Sequence, residues 1–355
     1  MIIERTLYFA KPGKASDVLE VRRRGSEVRV ALGLSAGTIY VRHGDSDAPD
    51  VQWEGYFHTE EEQRADLEAR TASAAFTAIR EEMQAVTDRF ERHILRREAG
   101  GDVDLGGVSL APQEHKFPST SAELVGFLYV PPGDGPFSCM ILNHGSAVQP
   151  GSSDISQPAV ASVLLSWGIA CFFPNRWGYG NSPGKYWREE VSAEFGTRDY
   201  DHQLVRRLHR ESDDVIAALD YVETLPAIRR GHIGVMGSSF GGTVSLLAAA
   251  KCDRFRAAID FAGAAMNWER TPRLRALMKQ AVRALELPIF LIQAENDYST
   301  QPTRELASVL MREGKSYEAN VYPPFGITQD EGHWFERAGA VVWGADVRRF
   351  LERHL

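Results

Sequence analysis

Residues 233–243 read IGVMGSSFGGT and place two serines side by side in a glycine-rich turn. The segment fits the pattern G-x-S-x-G in one register, centred on Ser239, because centring it on Ser238 would require glycine at Met236 and Phe240. An apolar run precedes the turn, and the helix-forming stretch GGTVSLLAAA follows it. This strand–turn–helix context exposes a serine hydroxyl on a tight bend that small neighbours permit. It favours a nucleophilic Ser239 over an ordinary small-residue loop.

A serine hydroxyl needs a base to take its proton. On this type of turn the chain order is serine, acid, histidine, and the only histidines after Ser239 are His333 and His354. His354 is the penultimate residue of a terminal helix, whereas His333 lies in the segment QDEGHWF, which we expect to form a loop after the last strand. His333 is therefore the predicted base.

The acid that orients the base should follow a strand between these two residues. Asp297 in LIQAENDYSTQP meets that condition and is the predicted acid, with the role of holding the His333 tautomer. Glu295 is the main competitor, and Asp260 could serve in a variant arrangement. Asp330 is too close to His333 in the chain.

Stabilisation of an oxyanion requires two backbone donors near the serine. We expect the N–H groups of Phe240, at the helix start, and of Ser146, in the loop after MILNHG, to supply them.

Candidate substrate-contacting residues come from the segment NRWGYGNSPGKYW and from the residue after His333: Arg176, Trp177, Tyr179, Tyr186, Trp187 and Trp334. The side chains of the NRWGYGNSPGKYW segment could equally pack a turn. Segments 182–200 and 264–285 are the candidate lid elements.

Two domains are expected. Residues 1–98 read as strand-helix-strand-strand-helix-strand, with the second helix capped by Thr59 and carrying an apolar stripe at Leu67, Ala75, Ile79, Met83 and Val86. This order predicts a ferredoxin-like α+β layer. Residues 99–107 form a Gly/Asp-rich linker, and residues 108–355 alternate buried strands with helices, which predicts a doubly wound, mostly parallel sheet.

Bulk properties exclude several classes of function. The net charge of −8 argues against nucleic acid or an anionic membrane as partner. No apolar run approaches a bilayer span, and Glu4 and Arg5 interrupt any secretory signal. The three cysteines show no metal or disulfide spacing, so reduced thiols in a soluble cytoplasmic protein are expected, with no metal or organic cofactor.

The segments LNHG, FFPNRWGYGNSPG, GVMGSSFGG, AENDYSTQP and EGHWF together resemble the α/β-hydrolase superfamily, in its dienelactone-hydrolase/prolyl-oligopeptidase-like branch. Two departures limit what the resemblance implies. Dienelactone hydrolases proper use a cysteine nucleophile where Ser239 stands, and the residues before this domain show no propeller repeat of the oligopeptidase kind. Dienelactone as substrate and peptidase activity therefore do not carry over.

The first hundred residues resemble the NIPSNAP-like branch of the dimeric α/β-barrel domains, in ERTLYFAKPGK and in the strand WEGYF. That resemblance implies a homodimer in which a second copy covers the open face of the sheet.

These inferences combine into a serine hydrolase of the carboxylesterase type, which cleaves an ester of a small organic substrate through an acyl-enzyme. Two alternatives remain open. The same triad could serve a thioesterase or an acyltransferase, and the chain could be a scaffold or binding module with a vestigial site.

Overall fold

The structure is a computed structural model that describes residues 2–42, 44, 48–57, 59–96, 110–120, 122–152 and 155–355. The chain forms two compact units, Met1–Gly100 and Gly101–Leu355. The predicted linker, residues 99–107, lies outside the described residues.

Among its described residues, the first unit is a four-stranded antiparallel sheet with three helices. Its strands are β1 Ile2–Ala10, β2 Thr38–Val41, β3 Val51–Phe57 and β4 Thr87–Arg96, and its helices are α1 Ala15–Ala31, α2 Glu60–Ala72 and α3 Ala74–Val86. The strand order β2-β3-β1-β4, with every pairing antiparallel, is that of the predicted ferredoxin-like layer.

The second helical stretch differs from the prediction, because it is two helices and not one. Thr59 caps α2 as expected, but Ser73 adopts an extended conformation and its hydroxyl caps α3 by accepting from the N–H of Phe76 at 3.2 Å. The break resets the helical face, so the predicted stripe positions Leu67 and Ala75 are exposed. The residues of α3 that are buried are Phe76, Ile79 and Met83.

In the part that the structure describes, the second unit is an eight-stranded sheet with helices on both faces. Its strands are β5 Gln113–Pro118, β6 Glu123–Tyr129, β7 Phe137–Asn143, β8 Ala170–Asn175, β9 Ile228–Ser238, β10 Ala258–Phe261, β11 Ile289–Ala294 and β12 Tyr317–Tyr322. Its helices are α4 Pro158–Ser166, α5 Trp187–Glu190, α6 Arg198–Val222, α7 Phe240–Lys251, α8 Pro272–Ala284, α9 Gln301–Arg312, α10 Gln329–His333, α11 Phe335–Ala338 and α12 Ala340–His354.

The sheet order is β12-β11-β10-β9-β7-β8-β6-β5. Pairings from β12 through β8 are parallel, as predicted, and those of β8 with β6 and of β6 with β5 are antiparallel. Strand β5 was not predicted. It pairs with β6 alone at the sheet edge. Only Phe117 of the strand is buried, so the polar residues of QEHKFP are tolerated there.

The apolar strands form the core because both sheet faces are covered. Along β7, Cys139 and Ile141 enter the cluster under α6–α9, whereas Met140 and Leu142 enter the cluster under α4 and α12. The cysteines are free thiols, and burial raises the pKa of Cys139 to about 12. Buried thiols such as Cys139 and Cys171 contribute packing and not reactivity.

Among the described residues, no helix combines the length and apolar character that crossing a bilayer would require.

Candidate active site

Ser239 is the one residue between β9 and α7, and its backbone is bent into the left-handed region at φ 58°. The peptide is fixed on both sides. Its N–H donates to the carbonyl of Phe261 at 2.9 Å, and its carbonyl accepts from the N–H of Thr243 at 3.1 Å in the first turn of the helix. The Ser239 hydroxyl caps no helix N–H, whereas its neighbour Ser238 is the last residue of β9 and is buried. Ser239 is therefore half-buried at the helix N-terminus, with a hydroxyl that does not cap the helix.

The glycines around this serine are required by backbone contacts. A Cβ on Gly237 would lie 2.5 Å from the carbonyl carbon of Gly241, and a Cβ on Gly241 would lie 1.9 Å from the carbonyl oxygen of Asn143. No side chain fits at either position, which is the physical reason for the G-x-S-x-G spacing.

His333 and Asp297 are in contact, with His333 Nδ1 and Asp297 Oδ1 2.8 Å apart. A carboxylate only accepts hydrogen bonds, so Nδ1 carries a proton, and in the neutral imidazole Nε2 is the acceptor. The Asp297 side chain is fully buried, and 11% of the His333 side chain is exposed. His333 was predicted in a loop, but it is the last residue of the short helix α10, which begins with a capping box at Thr328.

Asp297 is held by Gln293 and Tyr298, which were not among the predicted site residues. Gln293 donates from Nε2 to Asp297 Oδ2 at 2.8 Å, and the N–H of Tyr298 donates to Oδ1 at 2.6 Å. Gln293 is itself fixed by Thr303, whose hydroxyl donates to Gln293 Oε1 at 2.8 Å. Polar residues in a buried strand such as β11 are the signal that could have revealed this support.

The alternative acids are exposed or bonded to other groups, although Asp330 lines the same pocket as His333. Glu295 is exposed, and Asp330 accepts a hydrogen bond from the Tyr298 hydroxyl. Asp260 is buried at the end of β10, where it accepts from the N–H of Gly263 at 2.8 Å. Asp297 is the carboxylate that contacts His333.

A pocket of about 320 Å³ contains Ser239 and His333 in its lining. The loop after β7 also lines it, through Gly145 and Ser146. A Cβ built on Gly145 would be 4.0 Å from Ser239 Oγ, so this loop passes directly beside the serine. Tyr186 steadies the loop by donating from its hydroxyl to the carbonyl of Ser146 at 2.8 Å. Phe240 begins α7, where the first N–H groups have no partner within the helix.

Arg176 and Tyr179 do not line this pocket, so their prediction as substrate contacts is wrong. Both are fully buried, and both bond Glu211, Arg176 through Nε at 2.8 Å and Tyr179 through its hydroxyl at 3.0 Å. Burial alone would raise the pKa of Glu211, but Arg176 and Arg207 hold it below its usual value. The segment is a packed turn, the alternative left open by its sequence.

Trp177 also belongs to that turn, since it packs against the core and its backbone N–H donates to Asp214 Oδ2 at 3.0 Å. Trp187 is buried against the ring of Phe240. Of the predicted substrate contacts, Tyr186 and Trp334 line the pocket, and Trp334 is 53% exposed.

The pocket gains further walls from the predicted lid segments and from residues next to the triad: Arg188, Met266, Tyr298 and Arg337. Arg188 and Met266 lie in the candidate lid segments 182–200 and 264–285. Tyr298 and Arg337 were missed, although Tyr298 directly follows the predicted acid, and its ring packs edge-on against His333 with centroids 5.4 Å apart.

Burial raises the pKa of two carboxyl groups near the site. Burial raises the pKa of Glu336 to about 8, and neither of its oxygens has a hydrogen-bond partner among the described residues. Burial raises the pKa of Asp260 to about 7, partly offset by the hydrogen bond from Gly263. Glu336 is part of the pocket wall, so a carboxyl group whose pKa is raised by burial faces this region.

Comparison with solved structures shows the fold of the second unit in known proteins. A puromycin-hydrolysing peptidase of Mycobacterium tuberculosis has a TM-score of 0.54 at 19% identity, over 75% of this chain and 42% of that one. The acylaminoacyl peptidase of Pyrococcus horikoshii has a TM-score of 0.53 at 17% identity, over 75% of this chain and 45% of that one. Est1E of Butyrivibrio proteoclasticus, solved with ferulic acid bound, has a TM-score of 0.50 at 19% identity, over 67% of this chain and 98% of that one.

The chain spans less than half the length of the two peptidases. No curated protein matched the sequence. The sequence model of the dienelactone hydrolase family matches residues 161–350, more than half of the chain and the segment that carries Ser239, Asp297 and His333. The second unit has the α/β-hydrolase fold, and the chain belongs to the dienelactone hydrolase family.

Proposed function

We propose that this chain is a serine hydrolase of the carboxylesterase type, with Ser239 as nucleophile, His333 as base and Asp297 as the acid that orients it. One observation carries the proposal. A strained serine at a helix N-terminus lines the same pocket as a histidine whose Nδ1 is bonded to a buried carboxylate. Nucleophile, base and orienting group in this relation are what acyl transfer requires.

In the proposed reaction, Ser239 Oγ attacks the acyl carbon of the ester and His333 Nε2 takes the hydroxyl proton. The N–H groups of Phe240 and Ser146 stabilise the resulting oxyanion. His333 then returns the proton to the leaving alcohol, and an acyl-enzyme forms on Ser239. Water, deprotonated by His333, releases the acid and restores the free serine. Asp297 keeps the imidazole in the acceptor tautomer and stabilises its positive charge.

The pocket supports a small organic substrate with an apolar part. Tyr186, Met266 and Trp334 supply aromatic and apolar surface beside the serine, within a volume of about 320 Å³. Est1E, whose structure holds ferulic acid, shares the fold at nearly its full length, whereas the peptidases extend well beyond this chain. An aromatic or short aliphatic acyl ester is therefore the substrate class we favour over a peptide.

The test compares an ester and an amide of one acyl group on the purified full chain. p-Nitrophenyl butyrate and butyryl p-nitroanilide differ only in the scissile bond, and a lactone and a butyryl thioester complete the panel. We expect the highest kcat/KM for the ester, and covalent labelling of Ser239 by a fluorophosphonate, located by peptide mass spectrometry. Preference for the anilide would make the chain a peptidase, and preference for the thioester a thioesterase. Absence of labelling would indicate a vestigial site.

We also propose that the first unit forms a homodimer through the sheet face that its helices leave open. β1 residues on the helix side, such as Glu4 and Thr6, are buried, but Leu95 and Tyr56 on the other face are 38% and 44% exposed. A second copy of the same sheet would bury these side chains.

Leu95→Glu is expected to convert this dimer to a monomer on size-exclusion chromatography with light scattering, because it buries a charge in the interface. Leu67→Glu is the matched control, since Leu67 on α2 is 37% exposed and lies on the helical side. A wild-type chain that elutes as a monomer, or a Leu95→Glu chain that still elutes as a dimer, would contradict the proposal.

A further inference from the structure

A separate cavity of about 100 Å³ lies inside the first unit, between its sheet and helices α1–α3. Its apolar walls include Trp53, Phe76 and Met83. Its polar lining is rich in one residue type: Arg22, Arg29, Arg70, Arg80 and Arg92. Five guanidinium groups around one apolar cavity are unusual in a chain whose net charge is −8.

Two buried carboxylates form ion pairs with three of these arginines. Glu4 accepts from Arg70 Nη1 at 3.0 Å and from Nη2 at 2.9 Å, and it lies 3.4 Å from Arg92 Nε. Asp66 accepts from Arg29 Nη1 at 3.1 Å and lies 2.7 Å from Arg70 Nε. Burial would raise the pKa of Glu4, but the bonds from Arg70 hold it below its usual value, so this carboxylate is ionised and occupied.

Arg22 shares in neither carboxylate's hydrogen bonds. Its residue is 4% exposed, its Nη1 donates to the Tyr8 hydroxyl at 3.3 Å, and its guanidinium lies 5.1 Å from the centroid of the Trp53 ring. Its Nε and Nη2 have no hydrogen-bond partner among the described residues. A phenol and an indole face do not neutralise a buried positive charge, and a charge left unpaired in the interior is costly. The cavity is therefore short of negative charge next to Arg22.

We propose that this cavity binds a small organic anion, a carboxylate with an apolar or aromatic body. The carboxylate pairs with the guanidinium of Arg22, which lines the cavity, since a guanidinium matches a carboxylate in planar, two-bond geometry. The body lies against Trp53, Phe76 and Met83. Entry is at the β4 side, where Phe90 of the lining is 55% exposed.

The size of the cavity limits the ligand. A dry cavity of roughly 150 Å³ in another protein holds benzene, and this cavity of about 100 Å³ is smaller, so the body can be at most one ring, held partly in the open mouth of the cavity. Inorganic phosphate would satisfy the charge but would leave the apolar walls uncovered. This inference is independent of the proposed hydrolase activity, because its residues belong to the first unit alone.

The test is isothermal titration calorimetry of the full chain with sodium benzoate, benzamide and inorganic phosphate. Benzoate is expected to bind at least about tenfold more tightly than benzamide, which has the same shape without the charge, and than phosphate, which has charge without the ring. Arg22→Met should weaken benzoate binding about tenfold or more. Arg23→Met, the same change at the exposed neighbouring residue of α1, should leave it unchanged.

Two further measurements keep the test decisive. Arg22→Lys retains the charge without the planar fork and should bind benzoate with intermediate affinity, whether or not Arg22→Met folds. Hydrogen–deuterium exchange should show protection by benzoate in peptides of β1, α1 and α3. Benzoate binding that is equal in Arg22→Met and Arg23→Met, binding no tighter than that of benzamide or phosphate, or protection confined to residues 110–355 would overturn the proposal.

Discussion

Replacement of Ser239 by alanine is expected to lower kcat for p-nitrophenyl butyrate about 10⁶-fold, because the proposed acyl-enzyme can form only on its Oγ. KM should change little, since the hydroxyl contributes to the reaction and not to the pocket walls. Initial rates at saturating ester, with enzyme concentration fixed by fluorophosphonate titration of the wild type, measure the effect.

Ser238→Ala is the matched control for this change. The two serines are adjacent and both line the pocket, but Ser238 belongs to β9 and is 8% exposed, whereas Ser239 alone occupies the bend. We expect Ser238→Ala to keep kcat within about tenfold of the wild type, within the effect of one lost hydrogen bond. A large loss of kcat for Ser238→Ala together with an active Ser239→Ala would show that Ser238, and not Ser239, is the nucleophile.

Asp297→Asn is expected to lower kcat about 10⁴-fold with the fold intact. An asparagine amide can donate to His333 Nδ1, which places the imidazole proton on Nε2. A protonated Nε2 can no longer accept the proton of Ser239. Gln293, which donates to Asp297 Oδ2, would still hold the new side chain in position. Stopped-flow or steady-state rates, with circular dichroism to confirm folding, provide the measurement.

Glu295→Gln controls for the loss of a carboxylate in the same loop. Glu295 is exposed and lies two residues before Asp297, so its variant should retain the wild-type kcat within about twofold. An inactive Glu295→Gln beside an active Asp297→Asn would transfer the orienting role to Glu295.

The fold of both units was accessible from sequence because each rests on a local pattern. Apolar runs such as IACFFPN could be buried on both sides only in a covered parallel sheet, and β8 is buried throughout. The contact between His333 and Asp297 also followed from sequence, because the expected chain order left few histidines and one aspartate directly after a strand. These inferences required no knowledge of loop positions.

What the sequence did not reveal depends on contacts between distant segments. Arg176 and Tyr179 follow β8, as a pocket residue would, yet Glu211 on α6 draws both into the interior. Gln293 and Tyr298 take part in the site only once β11 and α10 are packed together in the fold. The edge strand β5 has a polar sequence because one neighbour is enough to order it, so its pattern does not differ from that of a loop.

The bend at Ser239 has a consequence for how this chain can evolve. A side chain held at φ 58° costs on the order of 1–3 kcal/mol, a large fraction of the roughly 5–15 kcal/mol by which domains are stable. Glycine would make the same bend without that cost. Gly237 and Gly241, by contrast, cannot be replaced, because any Cβ there would clash with backbone atoms of Asn143 or of the turn itself. In a lineage released from selection for turnover, the serine should therefore drift to glycine while the two glycines persist, so that loss of activity would leave behind a more thermostable protein.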